Sequence, residues 1–283
     1  MKRMITPLIL LFIGFGCNSS DNDNIAPPTN LPARDMMNVA YGTDPEQKID
    51  LYLPAGRNTD TKVFILVHGG GWSSGSKSDF NYVVPMLKSQ FPNYAIINMD
   101  YRLATMQSPA YPKQIDDIKK VIDHLQTSDY SISNQYAFIG ASAGAHLAML
   151  YSYKEDSADN VKAVCSIVGP TDFSDPSYTD NPMFQYGSFY LIGNIDYAQN
   201  PEIVAAVSPA AHVSADSPPT IMFYGGMDPL IPATQGARLK DKLDQFGVYN
   251  EYNLYPSGGH GNWNTQTMLD FQTKLIAFFH ARF

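Results

Sequence analysis

Hydrophobic and polar positions follow two different periods along this chain, and each period predicts an element. Ile49, Leu51 and Leu53 alternate with Asp50 and Tyr52, the two-residue period of a half-buried antiparallel strand. Together with the residues from Val39 onward they predict two strands joined by Thr43-Asp44-Pro45-Glu46. Short runs at 62–67, 94–99, 136–139, 161–168, 220–224 and 249–255 predict six more strands. Those at 62–67, 94–99 and 136–139 are continuously apolar, as strands covered on both faces are. Between them the period lengthens. Ile115, Ile118, Val121, Ile122 and Leu125 share one face of a helix over 112–126, and Pro112 suits its first turn. Further helices are predicted at 79–90, which Pro85 should kink or shorten, at 143–150, at 234–246 and at 265–282.

Residues 169–216 break this alternation. They are rich in proline and in aromatics such as Phe173, Tyr178 and Phe184. They read as an insertion over the functional edge of the sheet, because long loops in compact domains usually carry function. Eight strands with interleaved helices, no internal repeat and no second core predict one α/β domain around a mostly parallel, twisted sheet. Its expected extent is 38–283. Ahead of it, Lys2 and Arg3 precede an apolar run that ends Gly14-Phe15-Gly16-Cys17. This reads as a processing segment, and the small residues before Cys17 resemble a bacterial lipoprotein signal over 1–17, which implies Cys17 as the lipid-bearing residue. The alternative is an ordinary secretory signal with a chance cysteine. Residues 18–37, with Asp21, Asp23 and Pro27-Pro28, read as a flexible tether. The expected location is therefore an exported protein held to a bacterial membrane by its lipid, or else a soluble periplasmic or secreted one.

Charge and composition narrow the classes. A net charge of −8 argues against a nucleic-acid partner, whose phosphates need a basic surface. Loss of Lys2 and Arg3 with the signal would take the charge to −10. The six histidines and two cysteines show no metal-ligand spacing, so no metal or other cofactor is expected. Cys165 falls within an apolar strand and reads as a small buried hydrophobe.

The candidate chemistry centres on Gly140-Ala141-Ser142-Ala143-Gly144. It stands between a predicted strand and a predicted helix, where G-x-S-x-G presents a nucleophilic serine on a sharp turn. Alone, the pentapeptide is equally compatible with a plain strand-to-helix turn. A serine needs a base, and the base needs an orienting carboxylate. His260, in Ser257-Gly258-Gly259-His260-Gly261, follows the last strand at the edge where open α/β sheets bind ligands. Asp228 is the only carboxylate in the loop after the preceding strand. His146, His124, His280 and His68 fit structural roles better, and His212 is the weaker alternative. His68-Gly69-Gly70-Gly71-Trp72 is the Gly-rich type of loop that offers backbone N–H groups to an oxyanion, with Gly70, Gly71 and Ala143 as donors. No G-K-[ST] follows, so a phosphate loop is not indicated. Trp72 is either packing or a pocket wall. Tyr186, Phe189, Tyr190 and Trp263 are candidates for an aromatic platform under a sugar or aryl ring, or else pack the insertion onto the body.

With His68 to Trp72, Asp100-Tyr101-Arg102, Gly140 to Gly144, Gly226 to Asp228 and Gly259 to Gly261 in that order, residues 38–283 resemble the α/β-hydrolase esterases that carry HGGGW. The resemblance extends to hormone-sensitive-lipase-like carboxylesterases and, more closely, to bacterial feruloyl and acetyl-xylan esterases. It implies a serine ester hydrolase working through an acyl-enzyme on a small-molecule or polysaccharide ester. It also implies that Asp100 and Arg102 support the loops rather than react. Ala141 departs from the aspartate common before the serine in hormone-sensitive-lipase-like members, whose amino-terminal cap is also missing. An amidase, arylformamidase or peptidase would use the same triad. A non-catalytic binding protein would need neither triad nor oxyanion loop.

Overall fold

The apolar runs form eight strands of one sheet. The computed structural model describes residues 31–283, apart from the side chains of Met183, Gln185 and Tyr186. The proposed signal and Cys17 lie outside the described residues. The strands are β1 (Arg34–Ala40), β2 (Lys48–Leu53), β3 (Val63–Val67), β4 (Ala95–Met99), β5 (Tyr136–Ala141), β6 (Val161–Ile167), β7 (Thr220–Gly225) and β8 (Asn250–Tyr255). Their spatial order is β1-β2-β4-β3-β5-β6-β7-β8. β2 pairs antiparallel with β1 and β4, and every other pairing is parallel.

The helices are α1 (Val83–Gln90), α2 (Lys113–Thr127), α3 (Ala143–Leu150), α4 (Pro176–Thr179), α5 (Pro182–Ile192), α6 (Pro201–Val207), α7 (Thr234–Gln245) and α8 (Thr265–Arg282). Successive side chains of a strand point to opposite faces, so each strand feeds two cores. Val63, Ile65 and Val67 meet α2, α3 and α7 on one face. Phe64 and Leu66 meet α1 and α8 on the other. Helices on both faces explain why β3 and β4 are buried throughout and why no polar alternation marks them.

Four sequence expectations are corrected. The tether does not extend to residue 37: β1 begins at Arg34 and pairs with β2 from Arg34↔Leu53 onward. Its side chains are mostly exposed, so this edge strand carries no hydrophobic signal. The helix expected at 79–90 starts later. A 3-10 turn at Lys77–Phe80 precedes α1, which places Pro85 in the first turn, where N–H groups have no intrahelical partner. Asp50 does not face solvent. It is 2% exposed, accepts from the Asn38 N–H at 2.7 Å and lies 3.3 Å from the Lys77 ammonium. The segment 169–216 is not an irregular loop but folds mostly into α4, α5, α6 and short 3-10 turns.

That helical insertion hangs on the body through main-chain carbonyls as well as through side chains. Asp172 pairs with Arg238 at 2.6 Å. Asp175 accepts from Thr234 Oγ1 at 2.6 Å and from Gln235 Nε2 at 2.9 Å. The N–H groups of Ala110 and Tyr111 donate to the carbonyls of Tyr190 and Leu191 at 2.7 and 2.8 Å. Lys154 Nζ donates to the Ala206 carbonyl at 2.9 Å.

Candidate active site

Ser142 stands where β5 ends and α3 begins. Its backbone is at φ 52° and ψ −120°, a left-handed conformation that costs a non-glycine residue roughly 1–3 kcal/mol. Two hydrogen bonds hold it there. Ser142 N–H donates to the Ile167 carbonyl at 2.7 Å, and the Ser142 carbonyl accepts from His146 N–H at 3.1 Å. Gly144 lets α3 approach: a Cβ on it would lie 2.1 Å from the Val67 carbonyl oxygen and 2.2 Å from that of His68.

The three predicted residues, 142, 228 and 260, meet at the carboxyl edge of the sheet. His260 Nε2 is 2.8 Å from Ser142 Oγ, and His260 Nδ1 is 2.7 Å from Asp228 Oδ2. A carboxylate oxygen only accepts, so Nδ1 donates to it and Nε2 is left to accept from the serine hydroxyl. The Asp228 side chain is fully buried. Its other oxygen accepts from the N–H groups of Leu230 and Ile231 at 2.8 and 3.0 Å. The carboxylate is thereby fixed before any substrate arrives.

The glycine loop lies beside Ser142. Gly70 has φ +111°, and a Cβ there would fall 2.0 Å from the Ser74 carbonyl oxygen. The Gly70 carbonyl accepts from the N–H groups of Ser73 and Ser74 and from Ser74 Oγ. Gly71 borders open space. Among the hydrogen bonds of the described residues, none uses the N–H of Gly70, Gly71 or Ala143. All three residues line the cavity over Ser142, so these donors can serve a developing oxyanion. His68 supports the loop from behind, as expected. Its ring stacks on Tyr101 with centroids 4.1 Å apart, and its Nδ1 is 2.7 Å from the Gly69 carbonyl oxygen. Burial lowers its pKa. Tyr101 Oη donates to the His68 carbonyl at 2.8 Å. Arg102 pairs with the buried Asp117 at 2.7 Å. Asp100 Oδ1 accepts from the Lys77 N–H at 2.7 Å.

His146 has a role that sequence reasoning missed. Trp72 Nε1 donates to its Nδ1 at 3.1 Å. The other ring nitrogen, Nε2, donates to the Val207 carbonyl at 2.8 Å. The imidazole thus ties the end of the glycine loop to the end of α6. Nδ1 can accept from Trp72 only while the ring is neutral, and complete burial pulls its pKa from 6.5 down to about 4. Between those values the unfolded chain binds a proton that the folded chain does not, so stability falls as pH drops through this window. Unfolding free energy from urea titration should fall by about 2–3 kcal/mol more in the native protein than in His146→Gln between about pH 7 and pH 4.5. Equal slopes would contradict a neutral buried ring. His212 is no rival base: its Nε2 faces the Ala206 carbonyl at 3.3 Å.

A cavity of about 630 Å³ opens over Ser142. Trp72, Tyr190 and Trp263 line it, as the sequence suggested. Phe189 does not. It lines a separate hollow with Ile195 and Tyr197, because its position on α5 turns away from the side that Phe184, Gly187 and Tyr190 present to the cavity. The Tyr186 side chain is outside the described residues. Phe80, Tyr82, Met268 and Phe271 also line the cavity and were not singled out from sequence. They come from elements whose apolar residues read equally well as core.

Residues 49–243 match the BD-FAE family. The match covers well over half of the chain. This chain belongs to the BD-FAE family. It is 28% identical over 243 residues to Esterase LipC of Mycobacterium tuberculosis, covering 79% of this chain and 59% of LipC. A shorter segment of 122 residues is 30% identical to kynurenine formamidase of Danio rerio, covering 41% of this chain and 38% of that enzyme. Among solved structures, a truncated form of a carbohydrate esterase from gut microbiota superposes with a TM-score of 0.72 at 25% identity. That likeness covers 89% of this chain and 99% of the other. The family and the eight-stranded sheet agree on an α/β-hydrolase fold. The chain spans about three-fifths of the length of LipC and LipQ.

Proposed function

We propose that this chain is a serine carboxylesterase that works through an acyl-enzyme. The observation that carries the reading is the Ser142–His260–Asp228 relay, with both links shorter than 3 Å, facing three N–H groups with no other partner among the described residues. Ser142 Oγ attacks the ester carbonyl as His260 Nε2 takes its proton. The carbonyl oxygen gains its negative charge among the N–H groups of Gly70, Gly71 and Ala143. His260 then protonates the departing alcohol, and water repeats the sequence to release the acid. Asp228 holds the imidazole in the tautomer these steps need.

The favoured substrates are acetyl or feruloyl esters of carbohydrate. Support comes from the likeness to a carbohydrate esterase and from a cavity walled by Trp72, Tyr178, Tyr190 and Trp263. A formamidase or other amidase is the second reading, favoured by the segment similar to kynurenine formamidase. A panel of p-nitrophenyl acetate, acetylated xylan, methyl ferulate, N-formylkynurenine and an aminoacyl-p-nitroanilide separates them. The esters should be cleaved with kcat/KM at least about 10²-fold above the amides. The reverse order would replace the esterase reading with the amidase one. The alcohol and acyl groups of the best ester then identify the substrate.

The proposal extends to location: an exported protein anchored by lipid on Cys17. Lys2, Arg3, the apolar run and Gly16 before Cys17 support it. Among the described residues no helix is long and apolar enough to cross a membrane. Several acyl chains on one residue anchor stably, where a single chain is marginal. Cys17→Ala should move the protein from the membrane to the soluble fraction. Equal fractionation of both forms would end the lipoprotein reading.

A further inference from the structure

α5 contains a glycine that neither its backbone nor its described neighbours require. Gly187 is in the helix interior, at none of the positive φ values that other glycines of the chain adopt. A Cβ built on it would meet one heavy atom of the described residues within 4 Å, Trp72 Cζ3 at 3.6 Å. That is an ordinary van der Waals contact, unlike the 2.0–2.2 Å collisions that await a Cβ at Gly70 or Gly144. A glycine inside a helix costs about 0.5–1 kcal/mol relative to alanine. Here the missing side chain leaves room in the cavity. Gly187 lines it together with Phe184 and Tyr190, one turn away on either side, and with Tyr178 and Trp72. Aromatic side chains therefore surround a place where the described residues put nothing. Offset or edge-on packing of aromatic rings adds to the burial of their faces, so the group that fits this place best is another aromatic ring.

We infer that Gly187 sets the size of the cavity and admits an aryl ring of the ester, making it a specificity-determining residue. The inference rests on the esterase reading of Ser142, and two measurements keep them separable. The first is the kcat/KM of the native protein, Gly187→Ala and Gly187→Leu on ethyl acetate, methyl ferulate and phenyl acetate. The last two esters carry the ring on the acyl and the alcohol side, respectively. Gly187→Leu should lower the ratio of at least one aryl ester to ethyl acetate by about 10–100-fold, as side chains of this size do in apolar pockets. Gly187→Ala should lower it less. The ester that loses more identifies the side on which the ring sits.

The second measurement needs no catalysis. Both tryptophans of the chain, Trp72 and Trp263, line the cavity, so their fluorescence reports its occupancy. In a Ser142→Ala background, methyl ferulate and phenyl acetate should quench it, and Gly187→Leu should weaken the affinity for at least one by about 10-fold or more. Thermal melts of the Gly187 variants check folding. The alanine variant should melt no lower than the native protein, and it decides the matter if the leucine variant does not fold. Failure of the native protein to cleave any ester while aryl binding stays sensitive to residue 187 would refute the esterase reading and keep the inference. Unchanged aryl-to-ethyl ratios together with unchanged aryl binding would overturn the inference and leave the esterase reading intact.

Discussion

Ser142→Ala is expected to lower kcat by about 10³-fold or more, leaving the residual rate that oxyanion donors and binding alone supply. His260→Ala should cost a similar factor, because without Nε2 nothing takes the serine proton. The double variant should lose little beyond either single one, since the two groups act as a unit. Asp228→Asn keeps the volume of the side chain but can present an N–H to Nδ1. That favours the wrong tautomer and should cost about as much or somewhat less. The Asp228 side chain is wholly buried, so each variant needs a melting curve beside its rate. Steady-state kinetics on p-nitrophenyl acetate reads all four. Mass mapping of a fluorophosphonate adduct tests the nucleophile independently. A label on any residue other than Ser142, or a His260→Ala enzyme that keeps most of its kcat, would sink the assignment.

The second large effect should come from one methyl group. Gly70→Ala places a Cβ 2.0 Å from the Ser74 carbonyl oxygen at a residue with φ +111°. Neither atom can yield without moving the main chain, so the loop must reshape and its N–H groups must turn away from the cavity. Loss of an oxyanion donor costs about 10²–10³ in kcat. It should leave KM less affected, because the donors are aimed at charge that exists only in the transition state. Ser142, His260 and Asp228 are held by other contacts. A small fluorophosphonate should therefore still label Ser142 in this variant, although more slowly. A Gly70→Ala enzyme with native kcat would remove this loop from the mechanism.

The candidate site was legible in the sequence wherever a side chain's duty follows from its place at the end of a strand. Ser142, Asp228 and His260 each follow a run whose period is plain, and they meet in space because β5, β7 and β8 are parallel in one sheet. His146 was not legible. It sits within a helix that is buried throughout, and its partners, Trp72 and Val207, are 74 and 61 residues away. No local pattern encodes such a contact. Arg102 was assigned a supporting role only by resemblance. The structure supplies the cause in Asp117, a buried carboxylate between Ile115 and Ile118 on the inner side of α2. Phe189 failed for a different reason. Apart from Gln185 and Ser188, α5 carries apolar and aromatic residues all round, so its sequence carries little phase, and aromatic content alone cannot tell which residues face the cavity. The start of β1 was placed too late, at Val39 instead of Arg34, because an exposed edge strand buries too little to leave a pattern.

The way the insertion is attached bears on how such a chain can change over generations. Ala110, Tyr111, Lys154 and His146 all bind it through carbonyls, those of Tyr190, Leu191, Ala206 and Val207. A carbonyl is the same on every residue. At these four anchors the body recognises the course of the insertion's main chain, whereas Asp172 and Asp175 bind Arg238, Thr234 and Gln235 through their side chains. Substitutions along α5 can accumulate, or a homologous segment can be grafted whole, without loosening these anchors. The catalytic residues all lie outside 169–216. Substrate preference can thus drift along α5 while the Val207 carbonyl at the end of α6 still holds His146, and through it Trp72, which makes α5 the natural part to exchange in chimeras that alter selectivity.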